Sequence, residues 1–166
     1  MENIRIRDIV EAVNGRLLCG DMETSLRHIS IDSRTMKGDD LFVPLIGEKA
    51  DAHRFFSQAF ENGAAASLTS EHDTCPEGIT GALIRVEDTK KALQDIGRYI
   101  RSRLSLPLVG ITGSVGKTTT REMIAAALSA GYRTFKTPAN HNSQVGVPIT
   151  ISDISEADEI GVLELG

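Results

Sequence analysis

A chain of 166 residues, 40% hydrophobic and 25% charged, is long enough for one ordinary domain or two small units and too apolar for a disordered segment. Its formal net charge of −5, with Lys and Arg scattered, excludes a basic footprint for nucleic acid. No stretch approaches the roughly 18 apolar residues of a membrane helix, so neither nucleic acid nor membrane is expected as a partner, and a cytoplasmic location is expected. Two cysteines are too few for a disulfide framework. Cys19 has no ligand-type neighbour and His72 with Cys75 makes only a lone pair at metal-ligand spacing, so both thiols are expected to be free.

The elements alternate in type along the chain. Asp8 can cap a short helix whose apolar face is Ile9, Val10 and Val13, and Asn14-Gly15 ends it where positive φ is tolerated. Extended segments are expected at Arg16–Cys19, at His28–Asp32 and at Leu41–Leu45, the last following the polar turn Lys37-Gly38-Asp39-Asp40. Phe55, Phe56, Ala59 and Phe60 form one helical stripe that Asn62-Gly63 stops. Short buried strands are predicted at Ala64–Thr69 and Ala82–Val86, then a long helix from Asp88, its N-cap, to about Leu104.

Pro107 closes that helix and places a domain boundary near residues 103 to 107, giving domains 1–104 and 105–166. The apolar run Leu108–Ile111 begins a second unit: a strand, a glycine loop and a helix presenting Met123, Ile124, Ala127 and Leu128. Gly131 ends it before an extended Arg133–Lys136, and Ile160–Leu163 reads as a buried strand closed by Glu164. The expected fold class is α/β: a small N-terminal α/β domain, then the start of a parallel-sheet domain with a phosphate loop.

That loop, Thr112-Gly113-Ser114-Val115-Gly116-Lys117-Thr118-Thr119, carries the chemistry. Gly113 and Gly116 let several backbone N–H groups converge on phosphate oxygens, and the helix that follows adds the partial positive charge of its N-terminus. Lys117 can neutralise β- and γ-phosphates, and the Thr118 hydroxyl can serve Mg2+. The general pattern G-x-x-x-x-G-K-[ST] asks for glycine at position 111, where this chain has Ile111. Glu164, an acid at the carboxyl end of a strand beside the loop, is a second metal candidate. The polar stretch Asn140-His141-Asn142-Ser143-Gln144 reads by itself as a capped loop entering a helix or strand.

These residues resemble the Mur ligases of peptidoglycan synthesis, whose loop has the form T-G-[ST]-x-G-K-[TS] and so accounts for Ile111. Lys136-Thr137-Pro138-Ala139-Asn140-His141-Asn142-Ser143-Gln144-Val145-Gly146-Val147-Pro148 is similar to the segment K-T-x-x-N-x-N-N-x-I-G-x-P of the family branch that adds D-alanyl-D-alanine. Ser143 and Val145 depart from it. Val162-Leu163-Glu164-Leu165-Gly166 resembles V-L-E-M-G, in which the glutamate is a magnesium ligand, with Leu165 differing. Asp32-Ser33-Arg34, Gly38-Asp39-Asp40-Leu41-Phe42-Val43, Gly47 and Asp51-Ala52-His53 resemble the family's UDP-sugar-binding domain, and Glu48-Lys49-Ala50 occupies its uridine-contacting loop.

The resemblance implies an ATP- and Mg2+-dependent ligase that phosphorylates the terminal carboxylate of UDP-MurNAc-tripeptide, the acyl phosphate then being attacked by the amine of D-alanyl-D-alanine. It implies nucleotide binding by residues 113–119 and Asn140, with Lys117 catalytic. Thr118 and Glu164 would hold the metal, and Ser33, Arg34, Lys49 and His53 the UDP-sugar. Family members run to several hundred residues, so an inactive N-terminal fragment is expected, with self-association of an incomplete second sheet. A family member adding a different amine, a non-catalytic UDP-sugar-binding module and a small P-loop kinase or GTPase remain alternatives. The last lacks an Asn-Lys-x-Asp guanine motif.

Overall fold

In the computed structural model, which describes residues 4–47, 51–139 and 141–166, the chain divides into the units Met1–Ile96 and Gly97–Gly166. In chain order the first contains β1 (Ile4–Arg5), α1 (Ile6–Ala12), β2 (Arg16–Cys19), β3 (Ser25–Leu26), β4 (His28–Ser30) and β5 (Asp40–Phe42). A 3-10 turn at Ala52–Phe55, α2 (Phe56–Glu61), β6 (Ala64–Thr69), β7 (Ala82–Arg85) and α3 (Thr89–Arg103) follow, the division between units falling within α3. Five strands form one sheet in the order β2-β7-β6-β5-β4, parallel except for β2 against β7, while β1 and β3 pair separately.

The apolar runs make the central strands. Five of the six β6 residues are buried, as a parallel strand covered on both faces requires. Phe42, Phe56, Ala59, Phe60, Ala64 and Leu83 pack as one core cluster, with the Phe56 and Phe60 rings edge to face at 5.0 Å. Phe55 departs from its predicted stripe: it lies in the 3-10 turn and is 41% exposed. Asp8 also differs from expectation, accepting the Arg5 N–H at 2.7 Å from the third helical position instead of occupying the N-cap. Asn14 does take the left-handed conformation, φ 48°, and Asp88 caps α3 by accepting the Lys90 and Lys91 N–H groups.

The expectation of two free thiols is corrected, because Cys19 and Cys75 are disulfide-bonded, with Cα atoms 5.8 Å apart. They lie 56 residues apart in sequence. Pairing of β2 with β7 brings Cys19 beside the connection between β6 and β7. There Asp73 accepts from Arg16 through its carbonyl and pairs with Arg85 through its carboxylate. Counting cysteines detects a framework; it cannot detect one tertiary meeting.

The second unit contains β8 (Leu108–Ile111), α4 (Lys117–Leu128), β9 (Thr134–Lys136), α5 (Gly146–Ser152) and β10 (Ile160–Glu164). Its sheet is parallel, in the order β8-β10-β9, so β10 is central and Val162 fully buried. Ile111, Ala125 and Val162 form the core, flanked by Val109, Ile124 and Leu128. The predicted face of α4 is thus rotated: Met123 is 69% exposed and Ala127 exposed, whereas Arg121 is 5% exposed. A polar residue on the sheet-facing side displaces the stripe read from hydrophobicity alone. Among the described residues no helix is long and apolar enough to cross a membrane.

Candidate functional site

β8 ends at Ile111 and delivers the chain into an exposed loop, 112–116, ahead of α4. Gly113 has φ 142° and Gly116 φ 78°, both conformations that L side chains rarely adopt, and a Cβ at either would meet nothing within 4 Å. Backbone conformation, not crowding, therefore demands glycine here, and the space beside each is open. Gly116 has no side chain with which to cap α4, so the helix presents its leading N–H groups and positive dipole end to the loop. Ser114, Val115, Thr118 and Thr119 are exposed around it. Lys117 lies across the loop, its Nζ donating to the Gly113 carbonyl at 2.6 Å.

Glu164 reaches this loop through the sheet. The register of β10 on β8 sets it opposite Ile111, the last residue before the loop, and so 46 residues of sequence collapse onto a contact with Thr118. The Thr118 hydroxyl donates to the Glu164 carboxylate at 3.1 Å from Oε2 and 3.3 Å from Oε1. Asn142 Nδ2 donates to Oε1 at 2.8 Å and Arg121 Nη1 to Oε2 at 3.2 Å, while the Glu164 N–H is bound by Thr137 Oγ1 at 2.9 Å. Glu164 is 3% exposed. A hydroxyl and a carboxylate beside an exposed glycine loop are hard oxygen donors suited to Mg2+, which takes few protein ligands and completes its shell with water and phosphate oxygens. The residues present fit both a nucleotide polyphosphate and that ion.

Sequence did not assign Arg121, Asn142 or Thr137 to the site, although Thr137 and Asn142 fall on fixed positions of the segment Lys136 to Pro148. A signal existed for Arg121: it follows Thr118 by three residues, one helical turn, so both belong on the same face of α4. Its Nε and Nη2 also hold Glu122, whose carboxyl lies below the usual carboxylate range because Lys136, first, and Arg121 both bond it. Asn140 lies outside the described residues.

In the first unit Ile31, Asp32, Ser33, Arg34, Phe42, Ala52, Phe55 and Gln58 surround a cleft of about 590 Å³, a volume in the range of small-molecule sites. Ser33 is 5% exposed and donates to Gln58 Oε1 at 2.7 Å. Arg34 grips Asp32 with two parallel bonds, Nε to Oδ1 at 2.8 Å and Nη2 to Oδ2 at 2.6 Å. This, the Arg34 side chain first and its backbone N–H second, lowers the Asp32 carboxyl from its ordinary 3.8 to about 2. A carboxylate-observed NMR titration is expected to place the Asp32 midpoint near 2, and Arg34→Ala to return it toward 3.8. The sign follows. A depressed carboxylate contributes stability above its unfolded value, and that contribution is lost as pH falls from about 4 through about 2. Both groups are partly solvated, so the loss is small.

His53 is 6% exposed, and both of its ring nitrogens are engaged: Nδ1 with Asp51 Oδ1 at 2.7 Å, and Nε2 with the Ser70 hydroxyl and N–H at 3.1 and 3.3 Å. Asp51 also caps the 3-10 turn by accepting the His53 N–H, a bond that, first among its causes, lowers the Asp51 carboxyl. His53 thus ties the turn to the end of β6. Lys49, with Glu48 and Ala50, lies outside the described residues.

Two family models match in succession: the Mur ligase family catalytic domain over residues 25–101 and the Mur ligase middle domain over residues 111–166. The UDP-N-acetylmuramoyl-tripeptide--D-alanyl-D-alanine ligase of Bacillus subtilis is 40% identical over 97% of this chain and 35% of its own length. Among solved structures, MurF from Acinetobacter baumannii superposes with a TM-score of 0.86 at 32% identity, over 98% of this chain and 35% of that one. The MurF ligase from Thermotoga maritima, solved in complex with ADP, gives 0.72 at 34% identity, over 83% and 31%. The chain spans about a third of the length of the curated relatives it matches. With each unit matched by a model of one family, and a relative 40% identical along 97% of this sequence, the chain belongs to the Mur ligase family.

Proposed function

We propose that this chain provides the UDP-sugar-binding part, residues 1–104, and the first part of the ATP-binding domain, residues 105–166, of a cytoplasmic ligase. That ligase joins D-alanyl-D-alanine to UDP-MurNAc-tripeptide with ATP and Mg2+. The observation that carries the reading is the meeting of Thr118 and Glu164 under the glycine loop, together with 40% identity to such a ligase along 97% of the chain. Bound ATP supplies the phosphoryl group that activates the tripeptide carboxylate. The backbone N–H groups of Gly113, Ser114, Val115, Gly116 and Thr119 cradle the phosphates, and Asn140 contributes to nucleotide binding. Lys117 leaves the Gly113 carbonyl to neutralise the transferring group. Thr118 and Glu164 would hold Mg2+, which would supply positive charge to stabilise the transferring phosphoryl group.

In the first unit the guanidinium of Arg34, 78% exposed at the cleft wall, is free on its outer side for diphosphate or uracil oxygens. Ser33 orients the floor through Gln58, and Lys49 contributes to UDP-sugar binding. His53 acts by fixing the turn that carries Ala52 and Phe55 into the cleft. Titration calorimetry with UDP-MurNAc-tripeptide tests this. Binding is expected to weaken roughly tenfold or more in Arg34→Ala, the loss of one charge-assisted contact, while Mg-ATP binding is unchanged. Sugar-nucleotide binding that ignores Arg34 would sink the assignment of that cleft.

A further inference from the structure

We infer that Arg121 is the internal counter-ion of Glu164, standing in for a divalent cation, so that the ion is held only together with nucleotide phosphates. The inference rests on the reading of the loop as a nucleotide site. It begins from burial: Glu164 and Arg121 expose 3% and 6% of their side chains, and a carboxylate that deep is costly without a compensating charge. Arg121 supplies that charge at 3.2 Å. All three guanidinium nitrogens are engaged. Nη1 also donates to the Ala139 carbonyl at 2.6 Å, and Nε and Nη2 donate to Glu122. Ala139 holds the left-handed φ of 46°, so the same side chain that balances Glu164 secures the turn in front of Asn142, the second donor to that carboxylate.

The charges around the carboxylate then decide how a cation can enter. Glu164 and Arg121 cancel, Glu122 is paired with Lys136, and Lys117 remains as a net positive charge at the loop. Such a site offers a lone divalent ion an oriented carboxylate but no net negative field. Polyphosphate brings the missing negative charge. Arg121 is therefore a positioning residue: it keeps Glu164 aimed at Thr118 before the ion arrives, and it weakens the affinity for the ion by itself.

The sign of a mutation separates this role from a merely structural one. Losing a structural support weakens cation binding; losing a counter-charge strengthens it. Mn2+ binding without nucleotide, followed by the electron paramagnetic resonance signal of the free ion at mildly alkaline pH, is expected to tighten roughly tenfold or more in Arg121→Met and Arg121→Gln. Arg121→Lys, which restores a charge, should bind Mn2+ as weakly as the unsubstituted chain. For a neutral variant too unstable to titrate, thermal melts serve: Mn2+ alone should stabilise it and leave the unsubstituted chain unmoved. Equal or weaker Mn2+ binding in both neutral variants, or melts that Mn2+ does not shift, overturns the inference. Calorimetry of the unsubstituted chain with Mg-ADP keeps the two readings apart. Failure to bind overturns the nucleotide site itself, whereas normal Mg-ADP binding with unaltered Mn2+ affinity in the variants overturns only the role of Arg121.

Discussion

Replacing Lys117 with alanine is expected to lower ATP-dependent ligation, in the protein that carries this sequence, by on the order of 10²–10³-fold, the cost of losing a preorganised electrostatic contact to a transferring group. The Lys117 ammonium is held over the loop by a single carbonyl, Gly113 O at 2.6 Å, and the loop glycines leave the space beneath open. Phosphate oxygens entering there would replace the carbonyl as acceptor with little rearrangement. The same substitution should scarcely change stability. Lys117 is only half-buried at the first position of α4, and surface substitutions of that kind fall within about 0.5 kcal/mol. Steady-state ligation kinetics and a urea melt on the same preparation make the check. Undiminished turnover in Lys117→Ala would remove the loop from the reaction.

Glu164→Ala is expected to act in the opposite way, through stability as much as activity. Arg121 is 5% exposed, and removing its partner leaves a buried guanidinium facing apolar β10. Breaking a buried pair by deleting one member costs about 3–5 kcal/mol. The lower end applies, since Arg121 keeps Glu122 and the Ala139 carbonyl. Asn142 and the Thr118 hydroxyl lose an acceptor at the same time. Glu164→Gln preserves the volume and one acceptor oxygen, so it should recover part of the stability while still losing Mg-dependent nucleotide binding, because a neutral amide is a poor ligand for Mg2+. Urea denaturation of the two variants, read beside Mg-ADP calorimetry, separates the effects. A melt of Glu164→Ala matching the unsubstituted chain would contradict the pairing described.

Much of this was legible because it is local. The glycines at 113 and 116, the Asp88 cap and the apolar runs of β6, β8 and β10 each depend on neighbours within a few residues, where backbone sterics and periodicity act. The α/β class and the loop-to-helix context follow from the same signals. Phe55 and Met123 mark the limit of periodicity. Each is apolar and at helical spacing, yet Phe55 walls a cleft and Met123 faces solvent, because hydrophobic spacing gives a stripe and leaves its rotation to whatever packs against it.

The sequence by itself thus determined the longer helices and the central strands, the glycine loop and the presence of an acid at the end of the last strand, but not the β1–β3 pair or helix α5. Only the tertiary structure decided what surrounds that acid. The parallel register of β10 on β8 brings Glu164 to Thr118, and α4 turns Arg121 inward to meet it. The sheet that joins β2 to β7 likewise brings Cys19 to Cys75. The physical reason is one of range: a buried charge or thiol finds its partner across tens of residues, through packing that no local periodicity encodes.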